Sequence, residues 1–241
     1  MSRRRNTTVV LLQIRSELIP LRQERDWFRQ RCGVPEEHFR TINLVQAPAL
    51  RWRQIADADV VMIGGAGEFS AHDDHEFTAP LTEVVLRLID EGRPLFGSCW
   101  GHQFLARILG GTVSPDPERS EVGSFDIHLT EAGRCDPLFA EFPATFCAQL
   151  GHKDRITRLP PAMIELASSD LCPYQAIRIV GKPIYGTQFH SEMTADQLRD
   201  RLQVYREEYM PDPEEFARLS RRLRPSPEAD GILGRFLDLY A

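Results

Sequence analysis

In the first half of the chain, short apolar runs alternate with longer segments in which apolar and polar residues recur at helical spacing. Short runs rich in β-branched residues are typical of buried strands, whereas longer segments with apolar residues three or four apart are typical of amphipathic helices. Strands that alternate with helices indicate a parallel sheet with helices on both faces. The predicted strands cover Thr8–Ile14, Phe39–Val45, Ala58–Ile63 and Pro94–Gly97, and the predicted helices cover Pro20–Arg31, Phe77–Asp90 and the segment from Trp100 to Leu109.

The pattern changes after Gly110, where strand-like runs follow one another without helices between them. This succession favours antiparallel pairing. We therefore predict an α/β fold with a mostly parallel central sheet, helices on both faces and a small strand-rich antiparallel part. The later strands are predicted over Phe125–Leu129, Ala144–Leu150, Glu165–Ser168, Gln175–Val180 and Ile184–Phe189, and two more helices over Thr194–Tyr209 and Gly231–Tyr240.

Length and composition are those of an ordinary globular protein. We predict a single domain over residues 1–241, with a core at about 8–193 and a C-terminal helical tail at about 194–241. The formal net charge of -6 gives no electrostatic reason to expect nucleic acid or an anionic membrane surface as a partner. Five scattered cysteines without CxxC spacing favour a reducing cytoplasm over a disulfide framework.

A cysteine lies where the fourth predicted strand passes into a helix. Gly97 and Gly101 flank Cys99 at a distance of two residues on each side. Such a strand-to-helix turn is typical of a nucleophile elbow, in which glycines let strand and helix pack closely around a strained residue. The helix N-terminus stabilises negative charge and so favours the nucleophilic thiolate. We predict that Cys99 is a nucleophile; the alternative is a buried structural cysteine.

A second candidate segment is Tyr185–Glu192, where a short apolar strand leads into a histidine. In an extended chain, His190 and Glu192 project to the same side. A histidine can take the proton of a thiol, and a carboxylate at its other nitrogen fixes its tautomer and orientation. Cys99, His190 and Glu192 are therefore a predicted Cys-His-Glu triad; the alternative is an isolated histidine beside a surface glutamate.

Several ordered motifs resemble those of the class I glutamine amidotransferases, and most closely the glutaminase part of GMP synthase. The two densest are Gly97-Ser98-Cys99-Trp100-Gly101-His102-Gln103, which resembles G-x-C-x-G-x-Q, and Phe189-His190-Ser191-Glu192, which resembles F-H-P-E with Ser in place of Pro. The shorter ones are Gly64-Gly65-Ala66-Gly67, Gly110-Gly111-Thr112-Val113, Glu121-Val122-Gly123 and His152-Lys153-Asp154. The resemblance implies a flavodoxin-like fold and no cofactor.

This resemblance implies hydrolysis of the glutamine side-chain amide to glutamate and ammonia. Cys99 would attack the amide carbon and form a γ-glutamyl thioester, His190 would carry the proton, and Glu192 would orient His190. Negative charge then develops on the amide oxygen and must be stabilised by hydrogen-bond donors. The resemblance assigns these donors to the backbone N–H groups of Gly65 and Trp100.

Three further residues match substrate-binding positions of the family, namely Gln103, His152 and Gly64. Gln103 lies four residues after Cys99 and so shares its helix face. Gln188 is expected on the opposite side of its strand from the triad. His72 and His75 have H-x-x-H spacing, but without a third placed ligand we predict a polar loop there and no metal site.

The sequence leaves the acceptor of the ammonia open, and a separate synthetase subunit is a possible partner. An alternative function is that of a γ-glutamyl peptidase or hydrolase, which uses the same thioester on γ-glutamyl peptides or conjugates. A non-catalytic regulatory relative of the family is a second alternative. A homo-oligomer is compatible with the sequence, and no membrane partner is expected because no apolar run approaches the ~20 residues that span a bilayer.

Overall fold

The computed structural model describes residues 3–206 and 212–241. Within these residues, one sheet contains nine strands in the order β2-β1-β3-β4-β11-β10-β9-β6-β7. The first five strands in that order are parallel to one another. They are β1 (Val9–Ile14), β2 (Phe39–Asn43), β3 (Val60–Ala66), β4 (Leu95–Ser98) and β11 (Ile184–Thr187).

Four antiparallel strands extend this sheet beyond β11, and a separate two-stranded sheet lies beside it. The α/β fold, with a mostly parallel central sheet plus an antiparallel part, is therefore confirmed. The antiparallel strands are β6 (Glu121–Leu129), β7 (Thr145–His152), β9 (Met163–Ser168) and β10 (Ala176–Ile179), and the small sheet pairs β5 (Thr112–Pro115) with β8 (Asp154–Arg158).

Helices cover both faces of the sheet, because alternate strand residues bury against different layers. Val10 and Leu12 of β1 join one apolar cluster together with Leu81 of α2, whereas Val9 and Leu11 join another together with α1 and α8. The helices are α1 (Leu18–Cys32), α2 (Thr78–Asp90), α3 (Trp100–Ile108), α4 (Glu131–Arg134), α5 (Ala195–Val204), α6 (Pro213–Arg222), α7 (Pro227–Asp230) and α8 (Ile232–Tyr240).

Several element ends differ from the sequence expectation. β3 does not stop at Ile63 but continues through two glycines to Ala66. β5 and β8 were not predicted, because polar residues interrupt their short apolar pattern. The helix predicted over Thr194–Tyr209 is α5, which ends at Val204, and its last expected residues 207–209 lie outside the described residues.

The C-terminal helix α8 contributes directly to the core. Phe236 packs edge-on against Phe96 of β4 with 5.4 Å between the ring centroids, and the hydroxyls of Tyr240 and Tyr185 lie 2.7 Å apart. Arg4 near the N-terminus forms an ion pair with Asp238 of the same helix. Among the described helices, none is long and apolar enough to cross a membrane.

Candidate active site

Cys99 occupies a strained turn between β4 and α3. Its φ of 49° and ψ of -97° are a combination that residues with a side chain rarely adopt. A Cβ at position 97 would lie 2.6 Å from the backbone of Gly101, and a Cβ at position 101 would lie 2.5 Å from the carbonyl oxygen of Ile63. Only glycines fit at both positions, so the expected strand-to-helix turn is present and Cys99 lies at the N-terminus of α3.

His190 and Glu192 project to the same side, toward Cys99. Nδ1 of His190 lies 2.6 Å from Oε1 of Glu192, and the imidazole is close enough to Cys99 for the two side chains to interact. The second carboxylate oxygen of Glu192 accepts a 2.9 Å hydrogen bond from the hydroxyl of Ser98. The backbone N–H of His190 donates to the carbonyl oxygen of Gln149 on β7 at 2.9 Å, which fixes the segment to the antiparallel part of the sheet.

Burial and charge shift the pKa of His190 in opposite directions, and they do the same for Glu192. Burial lowers the pKa of His190, but the charges of Glu192 and Cys99 and their hydrogen bonds outweigh it and raise the pKa to about 10. Burial raises the pKa of Glu192, but the charge of His190 and the hydrogen bonds from His190 and Ser98 hold it below its ordinary value. At neutral pH the pair is therefore an imidazolium and a carboxylate, and His190 has a proton to give.

Gln188 lies on the same side as the triad, so the expectation that it faces the opposite side is wrong. Its Nε2 is 3.5 Å from Sγ of Cys99, and its Oε1 accepts a 2.9 Å hydrogen bond from Nε2 of Gln103. Positions 188, 190 and 192 are each two apart, and side chains two apart share a side of an extended chain. Gln103 also donates to the carbonyl oxygen of Asp154 at 2.7 Å, so its amide nitrogen is held within the protein.

Gly64 and Gly65 lie beside the carboxylate of Glu24, a buried residue of α1. A Cβ at position 64 would lie 2.8 Å from the Glu24 carboxylate, and the backbone N–H of Gly65 donates to Oε1 of Glu24 at 3.2 Å. A Cβ at position 65 would lie 3.3 Å from Cε1 of His190 and 3.7 Å from Cβ of Cys99. Gly65 therefore borders the triad, although its N–H is bonded to Glu24.

His152 is the other predicted substrate-binding residue, and both of its ring nitrogens have protein partners. Nε2 lies 2.9 Å from Oε2 of Glu121, directly across from it on β6, and Nδ1 lies 3.0 Å from the carbonyl oxygen of Asp154. Gln175 donates to the same oxygen of Glu121 at 2.6 Å. Cys172 lies beside this pair, and the three candidate ligand atoms of Glu121, His152 and Cys172 lie within 4.8 Å of one another.

The histidines of the loop before α2 bond to backbone carbonyl oxygens. Nδ1 of His72 lies 2.9 Å from the oxygen of Val113, and Nε2 of His75 lies 3.0 Å from that of Ser70. His102 of the elbow motif is fully buried, and burial lowers its pKa to about 3. The hydrogen bonds of His72 and His75 to backbone oxygens and the complete burial of His102 indicate structural roles.

A cavity of about 230 Å³ joins the triad to the C-terminal part of the chain. Cys99, His190 and Gln103 line it, and so do Ala66 at the end of β3 and the loop 67–70 that follows. α5 and the residues around it also line the cavity, among them Leu198, Leu202 and Tyr205. Within the Gly64–Gly67 turn, Ala66 and Gly67 line the cavity, whereas Gly64 and Gly65 are not among its lining residues.

Sequence reasoning did not single out Ser98, Glu24, Arg15 or Tyr205, although all of them surround the site. A signal was present for Glu24, which is four residues after Pro20 and so lies on the buried stripe of α1. A carboxylate on an apolar helix face is costly unless it is paired. It therefore points to a buried partner, which here is Arg15.

A family model described as glutamine amidotransferase class-I matches residues 37–203. The chain is 35% identical over 143 residues to the glutamine-hydrolyzing GMP synthase of Streptococcus mutans; the match covers 58% of this chain and 26% of that protein. It is 29% identical over 153 residues to a glutamine-hydrolyzing GMP synthase subunit of Archaeoglobus fulgidus, covering 64% of this chain and 75% of that one. The chain thus spans about a quarter of the first relative and three quarters of the second.

Solved structures share the fold over almost the whole chain. A glutamine amidotransferase of Thermotoga maritima superposes with a TM-score of 0.75 at 20% identity, covering 98% of both chains. One from Methylobacillus flagellatus gives a TM-score of 0.74 at 19% identity, covering 98% of this chain and 96% of the other. At these identities the likeness is one of fold, and the chemistry has to be argued from the residues of this chain.

Proposed function

Because the chain belongs to the class-I glutamine amidotransferase family, we propose that it hydrolyses the side-chain amide of glutamine to glutamate and ammonia. The observation that carries the proposal is the contact chain from Cys99 through His190 to Glu192, with 2.6 Å between His190 and Glu192. The cysteine is strained on an elbow, opens into a cavity and touches a histidine whose other nitrogen is fixed by a carboxylate. This is the geometry of an activated nucleophile.

The first half-reaction breaks the carbon–nitrogen bond. The thiolate of Cys99 attacks the amide carbon of glutamine, and the electron pair of the carbonyl bond moves to the oxygen. His190, which carries the proton, then donates it to the leaving nitrogen as the intermediate collapses. Ammonia leaves, a γ-glutamyl thioester remains on Cys99, and His190 is neutral.

The second half-reaction restores the enzyme. His190 takes a proton from a water molecule as the water oxygen attacks the thioester carbon. The carbon–sulfur bond then breaks, glutamate is released, and Cys99 and His190 return to the thiolate and imidazolium pair. Glu192 keeps Nδ1 of His190 protonated and oriented throughout, so the same imidazole can give and take a proton at its other nitrogen.

Both half-reactions pass through a tetrahedral intermediate with a negative oxygen. The N–H of Trp100 suits this oxygen because it lies in the first turn of α3, where helix N–H groups have no intrahelical acceptor. Gly65 is the second proposed donor. Removal of one such donor typically lowers the rate by ~10²–10³.

We propose that the ammonia is passed to a separate synthetase subunit. The support is the likeness to the A. fulgidus protein, which is named as one subunit of a GMP synthase and of which this chain covers 75%. The chain covers only 26% of the larger S. mutans synthase, so the rest of that protein has no counterpart in the match. Stimulation of glutamine hydrolysis by a co-purifying synthetase would support this assignment, and hydrolysis indifferent to every such partner would count against it.

A γ-glutamyl peptidase or hydrolase is the second candidate function. The observation that favours it is the part of the cavity lining in and just before α5, where Met193, Leu198 and Leu202 offer apolar surface beyond the triad. Such a surface suits a leaving group larger than ammonia. Parallel assays of ammonia release from glutamine and of cleavage of γ-glutamyl dipeptides separate the two; robust dipeptide cleavage without glutaminase activity would overturn the first proposal.

A non-catalytic relative makes a different prediction about Cys99. Diazo-oxonorleucine, a glutamine analogue with an electrophilic carbon, should label Cys99 rapidly and stoichiometrically if the site is active. Labelling should be lost in Cys99→Ala. Reaction no faster than that of a denatured thiol would instead favour a regulatory protein that retains only the scaffold.

A further inference from the structure

Arg201 of α5 is a buried cation that lines the cavity and has only neutral partners in the described chain. It is 6% exposed. Its Nε donates to Oε1 of Gln23 at 2.9 Å, and its Nη2 donates to the carbonyl oxygen of Pro20 at 3.2 Å. The guanidinium also lies 4.8 Å from the ring centroid of Trp27. With the residues that the structure describes, Arg201 forms no ion pair, and its Nη1 forms no hydrogen bond.

Arg15, a second cation of the cavity lining, differs because it has an anion. Its Nη2 and Nε donate to Oε1 of Glu24 at 2.9 Å and 3.0 Å. Burial lowers the pKa of Arg15, but the charge of Glu24 outweighs this effect and raises the pKa above its ordinary value. At Arg201, burial and then the charge of Arg15 lower the pKa to about 9, although Glu24 acts in the opposite direction. Two buried cations therefore depend on one carboxylate.

The anion that is missing at Arg201 is not supplied by the rest of the cavity lining. Glu68 accepts hydrogen bonds from the backbone N–H and the hydroxyl of Ser16. Asp154 accepts one from the hydroxyl of Ser70. A buried charge without a counter-ion is costly, and a guanidinium pairs best with a planar carboxylate, to which it can donate two parallel hydrogen bonds. The cavity is therefore suited to a ligand that brings a carboxylate to Arg201.

The leaving group of the reaction begins beside these arginines. In the mechanism above, His190 gives its proton to the leaving nitrogen, so the atoms attached to that nitrogen start next to the imidazole. The position that a Cβ on Gly65 would take lies 3.3 Å from Cε1 of His190 and 3.2 Å from Nη2 of Arg15. The imidazole and the guanidinium are thus separated by about the length of one small side chain. In an α-amino acid the carboxylate is close enough to the nitrogen to bridge this gap, whereas ammonia places nothing there.

We propose that Arg201, supported by Arg15, binds the α-carboxylate of an amino acid that leaves from the γ-glutamyl group. The substrates of this subsite are γ-glutamyl dipeptides, whose second residue has a free carboxylate. The inference rests on the proposed thioester chemistry of Cys99 and gives the second candidate function a substrate class. The amino group of the second residue takes the proton of His190 in place of ammonia, and water then releases glutamate from the thioester as before.

The test compares two substrates that differ only at this carboxylate, γ-glutamylglycine and γ-glutamylglycinamide. The wild-type protein should prefer the acid. Arg201→Gln should reduce this preference roughly tenfold to a hundredfold, because hydrogen bonds to a charged group are lost. The loss should appear in KM and not in kcat, since the carboxylate is bound equally in the ground state and in the transition state. Arg199→Gln, the same change at an exposed, ion-paired arginine of α5, should keep the preference.

Gln23→Glu tests the same subsite without removing a buried side chain. Oε1 of Gln23 already accepts a hydrogen bond from Arg201, so a glutamate there supplies the missing negative charge from within the protein. This variant should also lower the preference for the acid, and it decides the question if Arg201→Gln folds poorly. Gln30→Glu, on the exposed side of α1, is its control and should keep the wild-type preference.

Outcomes separate this inference from the proposed hydrolysis of glutamine. Equal cleavage of both dipeptides by the wild type, or a preference that Gln23→Glu leaves intact, overturns the inference. So does a rise in KM for glutamine in Arg201→Gln as large as the rise for γ-glutamylglycine, because it would place Arg201 at the carboxylate of the glutamyl group. If the wild type hydrolyses glutamine and neither dipeptide, only the inference falls. If it hydrolyses none of the three, the thioester chemistry fails and the inference fails with it.

Discussion

The hydroxyl of Ser98 donates a 2.9 Å hydrogen bond to Oε2 of Glu192, the carboxylate oxygen that His190 leaves free. Ser98 is the last residue of β4 and immediately precedes Cys99, so the elbow positions the proposed nucleophile and the carboxylate that holds His190 together. All three side chains are buried. The carboxylate is thus fixed at both oxygens and can orient the imidazole only in one way.

Replacement of Ser98 by alanine should therefore weaken the site without dismantling it. The loss of a hydrogen bond to a charged group costs about 1.5–3 kcal/mol, and we expect kcat/KM to fall roughly tenfold to a hundredfold. The hydrogen bond from Ser98 lowers the pKa of Glu192, so its removal should raise that pKa and move the acid limb of the pH–rate profile to higher pH. Steady-state kinetics across pH measure both effects.

Ser191 supplies the matched control. It is fully buried between His190 and Glu192, yet its hydroxyl has no hydrogen-bond partner in the described part of the chain. Ser191→Ala removes the same atom at nearly the same place and should leave kcat/KM and the acid limb unchanged. Equal losses in both variants would mean that packing, not the bond to Glu192, explains the effect of Ser98.

The charge state of His190 gives a prediction that needs no substrate. Glu192 and Cys99 both raise the pKa of His190 to about 10, and Glu192 is the larger of the two. Glu192→Gln should therefore lower the pKa of His190 strongly, and Cys99→Ala should lower it less. Titration of the ¹⁵N imidazole signals by NMR measures the three values. An unchanged His190 pKa in Glu192→Gln would contradict the triad geometry.

Most of the fold could be predicted from the sequence, because the spacing of apolar residues along each element matches the layer against which that element packs. In the parallel half, alternate strand residues enter two apolar clusters, as Val10 and Val9 do in β1 and Leu95 and Phe96 do in β4. The triad could also be predicted from the sequence, since Cys99 follows a strand and His190 and Glu192 are two residues apart. The prediction for Gln188 was wrong because the two-residue alternation was not applied to it. The alternation itself holds at this position.

The rest of the site depends on contacts that no local pattern encodes. The bulge of β3 arises from pairing with β1, about fifty residues earlier in the chain, and local spacing cannot reveal an extra residue in a register. The bond between Gly65 and Glu24 likewise joins α1 to the end of β3. Tyr205 reaches the cavity only because α5 folds back over it, which is a matter of tertiary packing.

The two glycines of the elbow should not tolerate alanine. A Cβ at position 101 would meet the carbonyl oxygen of Ile63 at 2.5 Å, and backbone cannot yield as a flexible side chain can. Overpacking of this kind costs about 1–3 kcal/mol, which lowers Tm by roughly 2–4 °C per kcal/mol in a chain of this size. Thermal unfolding of Gly101→Ala measures the loss, and labelling of Cys99 by diazo-oxonorleucine should slow as well.

Gly231→Ala is the control for that substitution. A Cβ there would meet nothing closer than 3.5 Å, and its φ of -85° suits alanine. Tm should stay within about 2 °C of the wild type or rise slightly, because alanine reduces the freedom of the unfolded chain. A similar fall in both variants would show that the elbow is not specially constrained.

Gln188 offers the most direct test of how the cysteine is kept nucleophilic. Its Nε2 donates toward Sγ of Cys99 at 3.5 Å, and Gln103 fixes its oxygen at 2.9 Å. Gln188→Glu keeps the shape and the bond from Gln103 but replaces the donor with a carboxylate oxygen. The added negative charge repels a thiolate at this distance, so alkylation of Cys99 by iodoacetamide at neutral pH should slow roughly tenfold or more.

Gln203→Glu makes the same change on the exposed side of α5, where solvent screens the charge, and should alter the rate by less than about twofold. If both variants react as fast as the wild type, Gln188 has no part in the reactivity of Cys99.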